Sequence, residues 1–151
     1  MIKLIAAGNR CMKDDGAAVK AAEFLEADLS LMGISVIICE TDCEGCFYSL
    51  DEADFIILLD ASFVGGEPGS LHVFRLEDIL TKSSLPFTRH DMSTLELMKI
   101  YGCSFHGCLI GIEISEIGFG TELSPVLTER MPNLCLEIKD TIKRIIEDCK
   151  V

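Results

Sequence analysis

The sequence is short of basic residues. It carries 13 Lys and Arg against 25 Asp and Glu, a formal net charge of −12 over 151 residues. Nucleic acid is therefore not expected as a partner, because phosphate contacts need Lys and Arg, and an anionic membrane surface is disfavoured in the same way. Long apolar runs are also missing. None is long enough to span a bilayer, and no basic segment followed by a long apolar one opens the chain, so no signal peptide is expected. There is no Gly-x-Ser-x-Gly elbow, no phosphate-binding loop, no internal repeat, no low-complexity segment and no linker. What is abundant is hydrophobic residues, 49% of the chain. That excludes disorder and points to one domain over residues 1–151 with a substantial core.

Eight cysteines are present. In a chain without an export signal they point to reduced thiols in the cytoplasm rather than a disulfide framework. Cys39, Cys43 and Cys46 supply a single C-x2-C, and no second one completes a four-ligand zinc site.

Hydrophobic patterning predicts an α/β fold. Residues 1–7, 34–39 and 54–60 read as short, nearly continuous apolar strands of a parallel sheet covered on both faces. Between the first two, Ala18, Ala22, Leu25, Leu29 and Met32 recur at helical spacing, with Gly33 placed to end the helix. Asp14 or Asp15 could serve as its N-cap. Residues 40–53 read as a polar loop with a helical turn near Tyr48. Residues 70–76 alternate and read as a further strand at an antiparallel or edge position, followed by a turn or short helix over 77–80. Residues 81–89 read as irregular. A helix is expected over 91–101, with Leu95, Met98 and Ile100 in the core, and a strand over 108–114. Two separate helices are expected at the end, over 123–131 and 133–149.

Chemistry concentrates at strand ends. Asp60 closes the third strand before a glycine- and proline-punctuated loop, and Asp14-Asp15-Gly16 lies beyond the first. In open α/β sheets ligands bind at the carboxyl ends of strands. Two carboxylates brought together there repel unless a cation or a retained proton relieves them, although helix capping needs only one of them. His90 precedes a helix whose positive end would favour neutral imidazole, the metal-binding form. Asp15, Asp60 and His90 thus make a mixed O/N set suited to Ni, Zn, Mn or Fe. His72, in an alternating strand, and His106, in a turn, are weaker candidates.

Four stretches in order carry a family resemblance. They are Gly8-Asn9 with Asp14-Asp15-Gly16; Asp60-Ala61 with Gly65-Gly66 and Pro68-Gly69; His90 before a helix; and Gly111-Ile112 with Gly118–Gly120 and Leu123-Ser124-Pro125. Over roughly residues 1–126 the chain resembles the hydrogenase maturation endopeptidases, which trim the C-terminal extension of nickel–iron hydrogenase large subunits. The resemblance implies a twisted, mostly parallel sheet with helices on both faces. It implies that Asp15, Asp60 and His90 hold the nickel of an incoming large-subunit precursor, which the enzyme reads before cutting. Another divalent metal could stand in its place. Asp15 and Asp60 are the implied catalytic carboxylates, and Asp14 is not carried over as a ligand. The acidic surface would suit a basic C-terminal extension. The chain departs from the family pattern at Glu40-Thr41, at Gly16-Ala17-Ala18 and at Gly111-Ile112-Glu113-Ile114. A receiver-like phospho-acceptor domain is the alternative from another class. It is disfavoured because the acidic pair lies past the first strand and no lysine follows the strand near Ile114. A nickel-binding maturation chaperone without cleavage is a third reading.

Overall fold

Among the described residues five strands, β1 (Ile2–Ala7), β2 (Ile34–Glu40), β3 (Phe55–Ser62), β4 (Leu71–Arg75) and β5 (His106–Glu113), build one sheet in the order β2-β1-β3-β5-β4. The computed structural model describes residues 1–81 and 94–149. β1 pairs in parallel with β2 and β3, and β3 with β5; only the edge strand β4 runs antiparallel, against β5. β4 is thus both antiparallel and at an edge. The short connection from β3 leaves no room for the crossover helix that a parallel return needs.

Helices cover both faces. On one, α1 (Ala17–Leu31) and α5 (Pro125–Cys149) bury Ala18, Ala22, Leu25, Leu29, Leu134, Ile138 and Ile142 against Leu4, Ile57, Leu59 and Ile110. On the other, α2 (Cys43–Tyr48), α3 (Leu76–Leu80) and α4 (Thr94–Ile100) cover Ile5, Ile56, Leu58 and Leu109. Each large aliphatic side chain fully removed from water contributes about 1.5–3 kcal/mol. The two-residue period of β3 therefore sorts its side chains between two cores, and Asp60, in step with Ile56 and Leu58, belongs to the α2–α4 face.

Several expectations are corrected. The C-terminal segment is one helix, with Pro132 inside it. Pro132 is exposed, so water can reach the Thr128 carbonyl that proline leaves without its helical donor. Leu127, Leu134, Ile138 and Ile142 keep one buried stripe across it, so packing holds the helix together. Ile100 is 70% exposed and is not a core residue, whereas Leu95 and Met98 are buried. His106 opens β5 instead of lying in a turn. Neither Asp14 nor Asp15 caps α1: they lie in a 3-10 turn, Lys13–Gly16, and the cap position is Gly16 with no side-chain bond. The helical turn expected near Tyr48 is α2, capped by the Asp42 side chain, which accepts from Gly45 N at 2.9 Å. The irregular segment expected over 81–89, apart from Thr81, and the start of the helix expected at 91 lie outside the described residues.

Candidate active site

β1 and β3 are adjacent, and the chain reaches β2 on one side of β1 before crossing to β3 on the other. Their carboxyl ends therefore form a switch point, where open α/β sheets bind ligands. The 3-10 turn that carries Asp15 packs against β3, which carries Asp60.

Gly8 makes the Asp15 turn fit. Its φ is 137°, and a Cβ there would lie 2.0 Å from the Asp15 carbonyl oxygen, so a larger residue would force the turn off the strand end. The Asp15 carboxylate is buried, and its Oδ2 accepts the Asn9 amide at 2.8 Å. Arg10 braces the same loop, bonding Glu40 at the end of β2 (2.6 Å) and both carboxylate oxygens of Glu23 on α1 (2.5 and 2.8 Å).

Asp60 is the sixth of the eight residues of β3, not its last. Pairing continues two residues further, with Asp60 opposite Gly111, Ala61 opposite Ile112 and Ser62 opposite Glu113. Asp60 Oδ1 accepts the Ala61 amide at 2.8 Å, and the side chain is only 9% exposed. Gly111 keeps this corner open, because a Cβ on it would come within 2.7 Å of Ser62 Cβ.

Asp14 has a different task. It is fully buried and accepts four hydrogen bonds from the segment after β5: Ser124 N (2.7 Å), Ser124 Oγ (2.8 Å), Glu116 N (2.8 Å) and Ser115 N (3.0 Å). Lys13 N to the Gly120 carbonyl (2.8 Å) and Gly120 N to the Cys11 carbonyl (2.9 Å) complete the seam. The acidic pair thus divides its labour: Asp14 ties two loops together, and Asp15 stands at the mouth of β3.

Sequence reasoning missed Glu113. It is 1% exposed, yet it is a carboxylate at the end of a strand that is apolar or glycine after His106. Its Oε1 accepts Gly65 N (3.0 Å) and Gly66 N (3.1 Å), and its Oε2 accepts Val64 N (3.1 Å) and Ser62 Oγ (3.2 Å). His72 Nε2 lies 3.4 Å from Oε2, near enough for an ion pair when protonated but outside hydrogen-bond geometry. The available signal was a single acid within the run 108–114, where every neighbour is apolar or glycine.

The third expected ligand, His90, lies outside the described residues. Among the described residues no set of three or more His, Cys, Asp or Glu is grouped to hold a metal. Asp15, on the 3-10 turn, and Asp60, on β3, are hard oxygen donors, which suit a hard or borderline divalent cation better than a soft one. All eight cysteines are free thiols. A cleft of about 1010 Å³ between β4 and α5 is lined by residues such as Val73, Arg130 and Arg144 and includes neither Asp15 nor Asp60. No described helix is long and apolar enough to cross a membrane.

Comparison with known proteins identifies the family and the fold. The family model HycI, hydrogenase maturation protease, matches residues 19–146, a stretch that includes Asp60 and begins just after Asp15. The fold is similar to that of the [NiFe] hydrogenase maturation protease HybD from Thermococcus kodakarensis, at 27% identity and a TM-score of 0.70, over 93% of this chain and 97% of that one. It is also similar to the hydrogenase maturating endopeptidase HybD from E. coli, at 16% identity and a TM-score of 0.75, over 95% and 92% of the two chains. The maturation protease HycI from Thermococcus kodakarensis KOD1 superposes at 21% identity and a TM-score of 0.70, over 94% and 92%. These last two likenesses speak to the fold alone. No curated protein matches the chain by sequence.

Proposed function

The chain belongs to the hydrogenase maturation protease family, and we propose that it removes the C-terminal extension of a nickel-loaded hydrogenase large-subunit precursor at the strand mouth shared by Asp15 and Asp60. As a member of that family it is a peptidase. The observation that supports the location is the packing of the Asp15 turn against β3 at the switch point of the sheet. The absence of a membrane-spanning helix among the described residues and the eight free thiols suit a protein acting in the cytoplasm.

In this reading the nickel arrives as part of the substrate. Asp15 and Asp60, both nearly buried, offer carboxylates whose mutual repulsion a divalent cation relieves, and His90 supplies the nitrogen ligand. A precursor without nickel lacks that attraction and is passed over, so the metal reports that loading is complete. For peptide hydrolysis, water adds its oxygen to the scissile carbonyl carbon, the C–N bond breaks, and a proton is delivered to the departing nitrogen. One of the two carboxylates accepts the proton from the attacking water and returns it to the amine, a role worth about 10²–10⁴-fold in rate. The net charge of −12 favours a basic extension, and raising the salt should then weaken its binding.

The receiver-like alternative loses ground at β4. Receivers and flavodoxin-like domains run in the order 2-1-3-4-5, whereas here the edge strand is antiparallel and the fourth position belongs to β5. The test is cleavage of purified, nickel-loaded precursor, with product masses read by mass spectrometry. Wild type should release the extension. Asp60→Ala and Asp15→Asn should lose at least about 10²-fold in rate while keeping the wild-type circular dichroism spectrum. Binding of loaded precursor without truncation would favour the chaperone reading instead.

A further inference from the structure

Glu113 is a buried carboxylate on the sheet itself that the proposed chemistry does not use. It lies opposite Ser62, two residues beyond Asp60. Three successive backbone amides, Val64, Gly65 and Gly66, point at its two oxygens, and Ser62 Oγ adds a fourth bond. The main chain closes the same loop from its far side, with Gly69 N donating to the Glu113 carbonyl at 2.7 Å and Glu113 N donating to the Ser70 carbonyl at 2.9 Å. One residue of β5 thus fixes the loop that leaves β3 at both of its ends. Held this way, the loop turns Phe63 (55% exposed) and Val64 (40% exposed) outward beside the strand mouth. A buried carboxylate is costly to desolvate unless its lone pairs are satisfied. Such an expense on a surface loop is understandable if the shape of the loop matters.

We propose that Glu113 is a positioning residue for substrate binding: its carboxylate holds the 63–66 loop as an apolar rim along which the precursor's peptide is laid across Asp60. The proposal rests on the peptidase reading given above. It makes Glu113 act on substrate affinity and leaves the bond-breaking step to Asp15 and Asp60.

Two variants separate the atoms involved. Glu113→Gln keeps one acceptor oxygen for Gly65 and Gly66 but turns an amide NH2 toward the Val64 N–H and Ser62 Oγ, so the Val64 bond is lost while the Ser62 hydroxyl can turn to accept from the NH2. Glu113→Ala loses all of them. Hydrogen exchange followed by NMR should show the Val64 amide deprotected by about 10-fold or more in Glu113→Gln with Gly65 and Gly66 less affected, and all three deprotected in Glu113→Ala, because a lost bond to a charged acceptor shifts the opening equilibrium by about 10- to 150-fold. In cleavage assays on nickel-loaded precursor, KM should rise several-fold in Glu113→Gln with kcat within about twofold, as expected when uniform binding is removed. Phe63→Ser, which leaves the clamp intact, should raise KM in the same way. An unchanged KM in either Glu113→Gln or Phe63→Ser, or a fall in kcat with KM unchanged, would overturn the proposal. Should Glu113→Ala fail to fold, the Gln and Phe63 variants still decide it. If wild type itself cleaves no loaded precursor, the peptidase reading falls and this role with it, whereas wild-type cleavage with an indifferent Glu113→Gln removes this role alone.

Discussion

Replacing Asp14 by alanine distinguishes the two members of the acidic pair. The Asp14 carboxylate is fully buried and accepts four hydrogen bonds. Two of the donors, Ser115 N and Glu116 N, belong to exposed residues, so water can replace the lost acceptor there at small cost. The other two, Ser124 N and Ser124 Oγ, belong to a residue only 2% exposed. Leaving a buried donor unsatisfied costs about 1–3 kcal/mol. With two such donors and a partial contribution from the others, Asp14→Ala should lose about 3–5 kcal/mol, a large share of the 5–15 kcal/mol typical of a domain. Urea unfolding followed by circular dichroism measures this directly, and an unchanged slope with a lower midpoint would confirm that stability alone has moved. Asp15→Asn keeps an oxygen for the Asn9 amide and should cost far less stability while losing activity. A loss below about 1 kcal/mol for Asp14→Ala would refute the reasoning, because it would mean that the loop seam is not held by this carboxylate.

Other perturbations follow from the same structure. Lys3 donates to Asp54 at 2.6 Å and holds its carboxyl below the usual carboxylate range. A depressed folded-state pKa contributes stability above the unfolded value of about 3.9 and loses it as the pH falls through the folded one. Wild type should therefore be more stable than Asp54→Asn near neutrality, with the difference in Tm closing in acid; a gap independent of pH would contradict this. Burial pushes the Cys108 thiol up to about 12. Alkylation at about pH 8 should therefore modify exposed Cys11 and Cys149 first and reach Cys108 only on unfolding, and early labelling of Cys108 by peptide mapping would count against the packing described. Pro132→Ala should raise stability by about 1–3 kcal/mol, because it restores a donor inside a helix that already runs through the position. A decrease in the unfolding midpoint would show that the proline shapes α5.

The sheet was legible because β1, β2 and β3 are short apolar runs bounded by polar or glycine-bearing segments, and α1 carries its buried stripe at helical spacing. Residues whose roles depend on distant partners were harder to read. Asp14 looked like a local helix cap, since capping is a contact between near neighbours; its partners lie more than a hundred residues away. Glu113 registered only as a departure from a family pattern, because the amides that satisfy it come from a loop about fifty residues earlier. Two helices were expected on either side of position 132 where one runs, because the stripe from Leu127 to Ile142 packs on the sheet strongly enough to carry a single helix past Pro132. Asp60 was found from its place after an apolar run, although its strand continues to Ser62 once β5 supplies the pairing.

The most direct measurement compares one precursor in two states. Purified chain is incubated anaerobically with nickel-loaded and with nickel-free hydrogenase large-subunit precursor, and the products are weighed by mass spectrometry. Truncation of the loaded form alone, lost in Asp60→Ala, is the expected result. An untouched loaded precursor, or equal cleavage of both forms, would contradict a site in which Asp15 and Asp60 read the metal before the cut.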